Sequence, residues 1–104
     1  MSDVALLYAT FPDPAEAARV AEAVVDERLA ACVNILAPCT SIYRWQGVIE
    51  RGDEVPALFK TTPQLAGQLR TRIEALHPYD LPVVETWPVA ASAAVSAWVA
   101  AETG

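Results

Sequence analysis

Thr40-Ser-Ile-Tyr-Arg-Trp-Gln-Gly47, running straight on into Val48-Ile-Glu-Arg-Gly-Asp-Glu-Val-Pro-Ala-Leu-Phe-Lys-Thr61, decides how the rest of the chain is read. Ile42, Tyr43, Trp45, Val48 and Ile49 are β-branched or aromatic residues that fit a pleated surface. Gly47 sits between the two runs and marks a tight turn. Gly52–Asp53 permits a bulge in the return arm. Upstream, residues 32–37 read as a strand, and Pro38 interrupts it. A proline inside a strand predicts a bulge or bend and an edge position, because it has no N–H to give to a neighbour. Residues 32–61 therefore predict one hairpin of about thirty residues. Its arms are longer than the usual strand of about 5–6 residues.

Working outward, residues 3–11 alternate. Leu6, Tyr8 and Thr10 share one face, and Ala5, Leu7, Ala9 and Phe11 share the other. Near-continuous apolarity predicts a central strand covered on both sides. Asp13–Pro14–Ala15–Glu16 then opens a helix: Asp13 caps, Pro14 suits the first helical position, and Glu16 can reach back. Ala17, Val20, Ala21, Val24 and Val25 form its apolar stripe, and the helix is predicted to reach about Ala30. Thr62–Pro63 repeats the cap-then-proline device. Leu65, Leu69, Ile73 and Leu76 form the buried stripe of the second helix, and His77–Pro78 ends it. Residues 81–89 predict a last strand. A short helix capped by Ser92 follows, with Val95, Trp98 and Val99 as its apolar face.

The order is βαββαβ plus a terminal helix, an α+β ferredoxin-like sandwich. Right-handed crossovers put both main helices on one face of an antiparallel sheet. The 104 residues suit one domain, 1–104. Apolar residues make up 54% of the chain and charged ones only 19%. A small domain short of charge tends to hide surface in an oligomer. The net charge of −6, with no run of basic residues, speaks against nucleic acid or an anionic membrane as partner. Nothing at the amino end reads as a secretion signal, and no apolar run is long enough to span a bilayer. Cys32 and Cys39 stand seven apart in a strand-like segment, too far for a disulfide. Reduced thiols predict a cytoplasmic location.

Leu29-Ala-Ala-Cys-Val-Asn-Ile35, Pro38, Ser41-Ile-Tyr-Arg-Trp-Gln-Gly47, Glu54–Val55, Lys60–Thr61, His77-Pro-Tyr79 and Trp98 occur in one order along nearly the whole chain. In this the sequence resembles the CutA family of divalent-cation tolerance proteins. The resemblance implies a homotrimer assembled through the long hairpin, and a role in tolerance of copper and other divalent cations. It implies no enzymatic reaction and no obligatory cofactor; copper or another divalent cation is the ligand it suggests. Four positions depart from the family pattern. Ala9 and Leu76 stand where some members carry Cys and His, Val83 where Glu is common, and Val95 where Tyr is usual. Copper ligation carries over only to His77. Glu85, two residues beyond Val83, keeps its strand parity.

The candidate residues follow. His77, the one histidine, is the candidate metal ligand, against the plainer reading of a helix C-terminal group bonded to a carbonyl. One imidazole does not make a transition-metal site, which needs about three or four N, S or O donors. Cys32, Tyr43, Trp45, Glu54, Lys60, Tyr79 and Glu85 are candidates for a ligand cleft between subunits. Lys60 would pair with Glu54 or Glu85, or with an anion. Cys39, Ile42, Tyr43, Trp45 and Trp98 are candidates for the trimer interface, where aromatics concentrate. The odd spacing of Cys32 and Cys39 puts them on opposite faces of a regular strand, unless the bend at Pro38 undoes that. No phosphate loop, nucleophile elbow or zinc spacing is legible. Trimeric small-molecule sensors of the P-II type share this subunit fold, and they supply the alternative function.

Overall fold

The computed structural model describes residues 2–104, and its long middle strand is what the other strands pair with. In chain order the elements are β1 (Ser2–Phe11), α1 (Pro14–Asp26), β2 (Cys32–Ile35), β3 (Cys39–Trp45), β4 (Val48–Thr61), α2 (Ala66–Leu76), β5 (Glu85–Ala91) and α3 (Ala93–Glu102). The sheet order is β2-β4-β1-β5, every pairing is antiparallel, and β3 pairs with the outer half of β4. With β2 and β3 taken as one interrupted arm, this is the ferredoxin-like βαββαβ order, as expected.

One face of the sheet carries the core. Ala5, Leu7, Ala9 and Phe11 of β1 meet Val55, Ala57 and Phe59 of β4. Ala17, Val20 and Val24 of α1 and Leu69 and Ile73 of α2 close over them. Two ties brace the helices above this core. Arg72 makes a two-pronged bond to Glu27, and Arg19 donates to the Leu76 carbonyl at the end of α2.

Local differences from expectation have physical causes. α1 stops at Asp26 rather than near Ala30. Arg28 takes the left-handed conformation (φ 62°), and the Leu29 and Ala30 N–H groups turn back onto the Val24 carbonyl. Val25 is 40% exposed and leaves the stripe. Thr62 does accept a bond at the start of α2, from the Leu65 N–H, but residues 63–65 form a separate turn and the α-helix begins at Ala66. β2 ends at Ile35 rather than Ala37. Residues 81–84 lie outside the last strand, which runs Glu85–Ala91 and carries Pro88 on an edge where its missing N–H is harmless. Val83 is thus not on a strand, and the parity argument for Glu85 has no basis there. Ser92 caps α3 as expected, yet only Val99 of its predicted apolar face is buried; Val95 and Trp98 stay 40% and 44% exposed.

The hairpin register bears out one of two expected irregularities. No bulge lies at Gly52–Asp53: Thr40 faces Asp53 and Ser41 faces Gly52 without a break. The extra residue sits on the other arm. Ile35 pairs with Ala57 and Cys39 with Glu54, so three residues of the β2–β3 arm oppose two of β4. Pro38 lies in that interruption, as its ring demands. At the tip, Gln46 (φ 50°) and Gly47 (φ 82°) make a two-residue turn with both φ positive, the geometry whose twist matches the flanking strands.

Because Ile73 is fully buried between α2 and the sheet, Ile73→Ala is expected to lower unfolding free energy by roughly 2–5 kcal/mol. Urea denaturation followed by circular dichroism checks it.

Candidate functional site

The sheet face opposite α1 and α2 is open except near Val4, which is buried where α3 packs against β1 and β4, and register decides which side chains line the rest. Residues directly opposite one another across a ladder point the same way. One row therefore reads Cys32, Lys60, Leu6, Trp87, and the next reads Asn34, Leu58, Tyr8, Glu85. Thr10 and Pro56 form a third pair, and Glu54 and Cys39 a fourth. The extra residue near Pro38 resets parity, so Cys39, Ser41, Tyr43 and Trp45 all face the same side as Cys32. The bend does undo the odd spacing of the two thiols.

The predicted cleft residues thus share a face but not a place. Tyr8, Thr10, Cys39, Ser41, Glu54 and Tyr79 cluster around the Glu54 carboxylate. The Thr10 and Tyr79 hydroxyls donate to Glu54 Oε2 over 2.9 and 2.7 Å. Cys32 and Lys60 stand six residues further along β4, roughly 20 Å away at ~3.3 Å per residue. For the same reason Lys60 does not pair with Glu54, and no ion pair of Lys60 exists among the described residues. Tyr43 and Trp45 lie on the projecting ribbon, 48% and 42% exposed, and Ile42 points to its other side, 64% exposed. Glu85 is exposed beside Tyr8. Tyr8, Thr10 and Ser41 join the site without having been singled out from sequence; the β1–β4 register brings the first two there and the β3–β4 register brings Ser41.

His77 holds the cluster from behind. It is 8% exposed, its ring stacked on Phe11 at 4.6 Å. Nδ1 accepts from the Tyr79 backbone N–H at 3.1 Å, which leaves the ring proton on Nε2. Nε2 then donates to the Thr10 carbonyl at 2.8 Å. Burial pushes the His77 pKa down, and this outweighs the bond to Thr10 and the nearby Glu54 and Glu16 charges, which pull upward. Burial alone would raise the Glu54 pKa, but the Ser41, Tyr79 and Thr10 hydroxyls together hold its carboxyl below the ordinary value. Burial and the bond to Glu54 push the Tyr79 hydroxyl strongly up. Burial likewise raises Tyr8, helped by Cys39, Glu54 and Glu85. At neutral pH the site is a charged carboxylate ringed by un-ionised hydroxyls.

The family model described as "CutA1 divalent ion tolerance protein" matches residues 5–102. The chain belongs to the CutA1 family. A divalent-cation tolerance protein CutA of Thermus thermophilus is 46% identical over 90 residues, covering 86% of this chain and 85% of that protein. Mouse protein CutA is 41% identical over 86 residues, and the chain spans about half of its length (49%). The crystal structure of CutA from Xylella fastidiosa superposes with a TM-score of 0.93 at 39% identity, over 99% of this chain and 100% of that one. The CutA1 fold of five antiparallel strands and three helices is thereby the fold of this chain.

The pKa directions set a pH dependence. The unfolded chain takes up a proton on His77 near pH 6.5, and the folded chain does so only at lower pH. Between those values the unfolded state holds more protons, so stability falls as pH drops below about 6.5. Glu54, depressed from 4.5, adds a second loss below that value. Urea midpoints taken from about pH 8 down to about pH 2.5 should show both steps, and His77→Asn should flatten the upper one.

Proposed function

We propose that the chain works as a homotrimer in divalent-cation tolerance, with copper the leading candidate, by binding and without a catalytic step. The observation that carries this is the β3–β4 ribbon. It leaves Ile42 64%, Val48 58% and Ile49 65% exposed, and it lengthens the subunit to 45 Å against 25 and 23 Å across. Residues 48–54 of β4 pair only with β3, so their other backbone rim has no partner within the subunit. An unpaired rim flanked by large apolar side chains is a surface that another strand covers. Three copies exchanging ribbons would cover it, and Tyr43, Trp45, Cys39 and Trp98 belong to that interface in this reading. The two thiols, facing β4 partners roughly 20 Å apart, stay reduced, which suits the cytoplasm.

A ligand-binding sensor of the P-II type is the second reading. What favours it is the Glu54 cluster, a charged carboxylate among tyrosines on the open face, placed where a neighbouring ribbon would roof it. Thermal-shift screening with nucleotides and small ions tests it; a panel with no response removes it.

Sedimentation equilibrium at micromolar concentration is the test of assembly. The expected mass is three times the 11.2 kDa chain. Ile49→Lys, which puts a charge on the exposed ribbon, is expected to shift the population toward single subunits. A lone 11.2 kDa species in the unmodified protein would overturn the proposal.

A further inference from the structure

A cation-tolerance role directs attention to the single histidine, and the geometry around it points elsewhere. A metal takes the lone pair of a neutral imidazole nitrogen. His77 has no such pair to offer. Nδ1 spends its own on the Tyr79 N–H, and Nε2 carries the proton given to the Thr10 carbonyl. Access is closed as well, since Phe11 stacks on the ring at 4.6 Å and Tyr79 packs at 4.7 Å. Ala9 lies on the core face with Phe11, and its methyl offers no donor atom to a metal there. No group of three His, Cys, Asp or Glu able to hold a metal exists among the described residues.

The same two bonds give the ring another task. Residues 78–84 cross from the end of α2 to the start of β5 without regular structure. His77 is the C-cap residue of α2, and its N–H bonds to the Ile73 carbonyl. One ring nitrogen fixes the Tyr79 backbone, and the other fixes the strand that carries Thr10. Tyr79 and Thr10 are the residues whose hydroxyls land together on Glu54 Oε2. The imidazole therefore clamps, from the core side, both donors that act on the open side.

We infer that His77 is a positioning residue, the clamp that seats Tyr79 and Thr10 on Glu54, and that it is not a ligand of any cation the protein meets. Only the cation clause rests on the tolerance reading. The clamp stands whatever the function, and sedimentation and spectroscopy can fail separately.

Two measurements on the full, untagged chain test the two clauses. His77 is the only imidazole in the sequence, so Cu2+ added to the protein reports on it without ambiguity. Pulsed electron paramagnetic resonance is expected to show no imidazole nitrogen modulation; such modulation would overturn the cation clause. For the clamp, His77→Asn keeps an oxygen acceptor near the Nδ1 position, whereas His77→Phe keeps the ring and loses both bonds. In His77→Phe the Tyr79 amide should exchange about tenfold faster, as expected for one lost hydrogen bond, and the Glu54 carboxyl should titrate nearer its ordinary value. His77→Asn should restore most of the protection. Unchanged exchange and an unchanged Glu54 titration in folded His77→Phe would overturn the clamp. If His77→Phe does not fold, His77→Ala, which loses both bonds without adding volume, decides: unchanged exchange at Tyr79 and an unchanged Glu54 titration would overturn the clamp there too.

Discussion

The backbone hydrogen bonding of β4 is the constraint on which the subunit depends. Of its 14 residues, 55–61 pair with β1 on one side, and the strand pairs with β2 and then β3 on the other. Each pairing sets which side chains face the helices and which face the open side. A shift of one residue would exchange the two sets. The register is strongly held because one face must bury Val55, Ala57 and Phe59, none of them more than 3% exposed. The open face inherits its order from that burial.

The interruption between β2 and β3 shows how a local irregularity builds a site. One residue more on that arm than on β4 turns the ribbon so that Cys39, Ser41, Tyr43 and Trp45 continue the face begun by Cys32. Without it, Cys39 and Ser41 would look to the far side of the sheet from Glu54. Pro38 makes the irregularity cheap, since a residue without an N–H gives up nothing where the ladder is broken. The Leu36 N–H still finds the Pro56 carbonyl, so the break strands few polar groups.

Much of this was legible from residue types, and what was not legible has identifiable causes. Asp13–Pro14, Ser92 and the Gly47 turn carry local signals, and each stands where the sequence predicts it. The end of α1 was not legible, because the left-handed residue is Arg28, a type without preference for that conformation. It is held by the Arg28 side chain bonding the Ala101 and Gly104 carbonyls, a contact across most of the chain. The irregularity expected at Pro38 is there and the one that Gly52–Asp53 would permit is not, because Gly52 only permits a kink while Pro38 compels one. The candidate cleft residues share one face of the subunit, but Lys60 and Glu54 stand apart along β4. Parity can be read along one strand, but the distance from Lys60 to Glu54 matters only once both are known to lie on a single unbroken strand. Tyr8 and Thr10 escaped notice because their nearness to Glu54 comes from pairing residues 44 positions apart.

The pairing of β1 with β4 also bears on how the polypeptide is made. Ala5 finds its partner in Thr61 and Phe11 in Val55. During synthesis the first strand therefore leaves the ribosome long before the residues that complete its ladder. Until then its apolar side chains have only α1 to rest against, and a nascent chain in that state is open to capture by chaperones or by its own kind. Closing such distant pairs is slow compared with forming helices. The capped, quickly formed α1 is well placed to shield β1 over that interval.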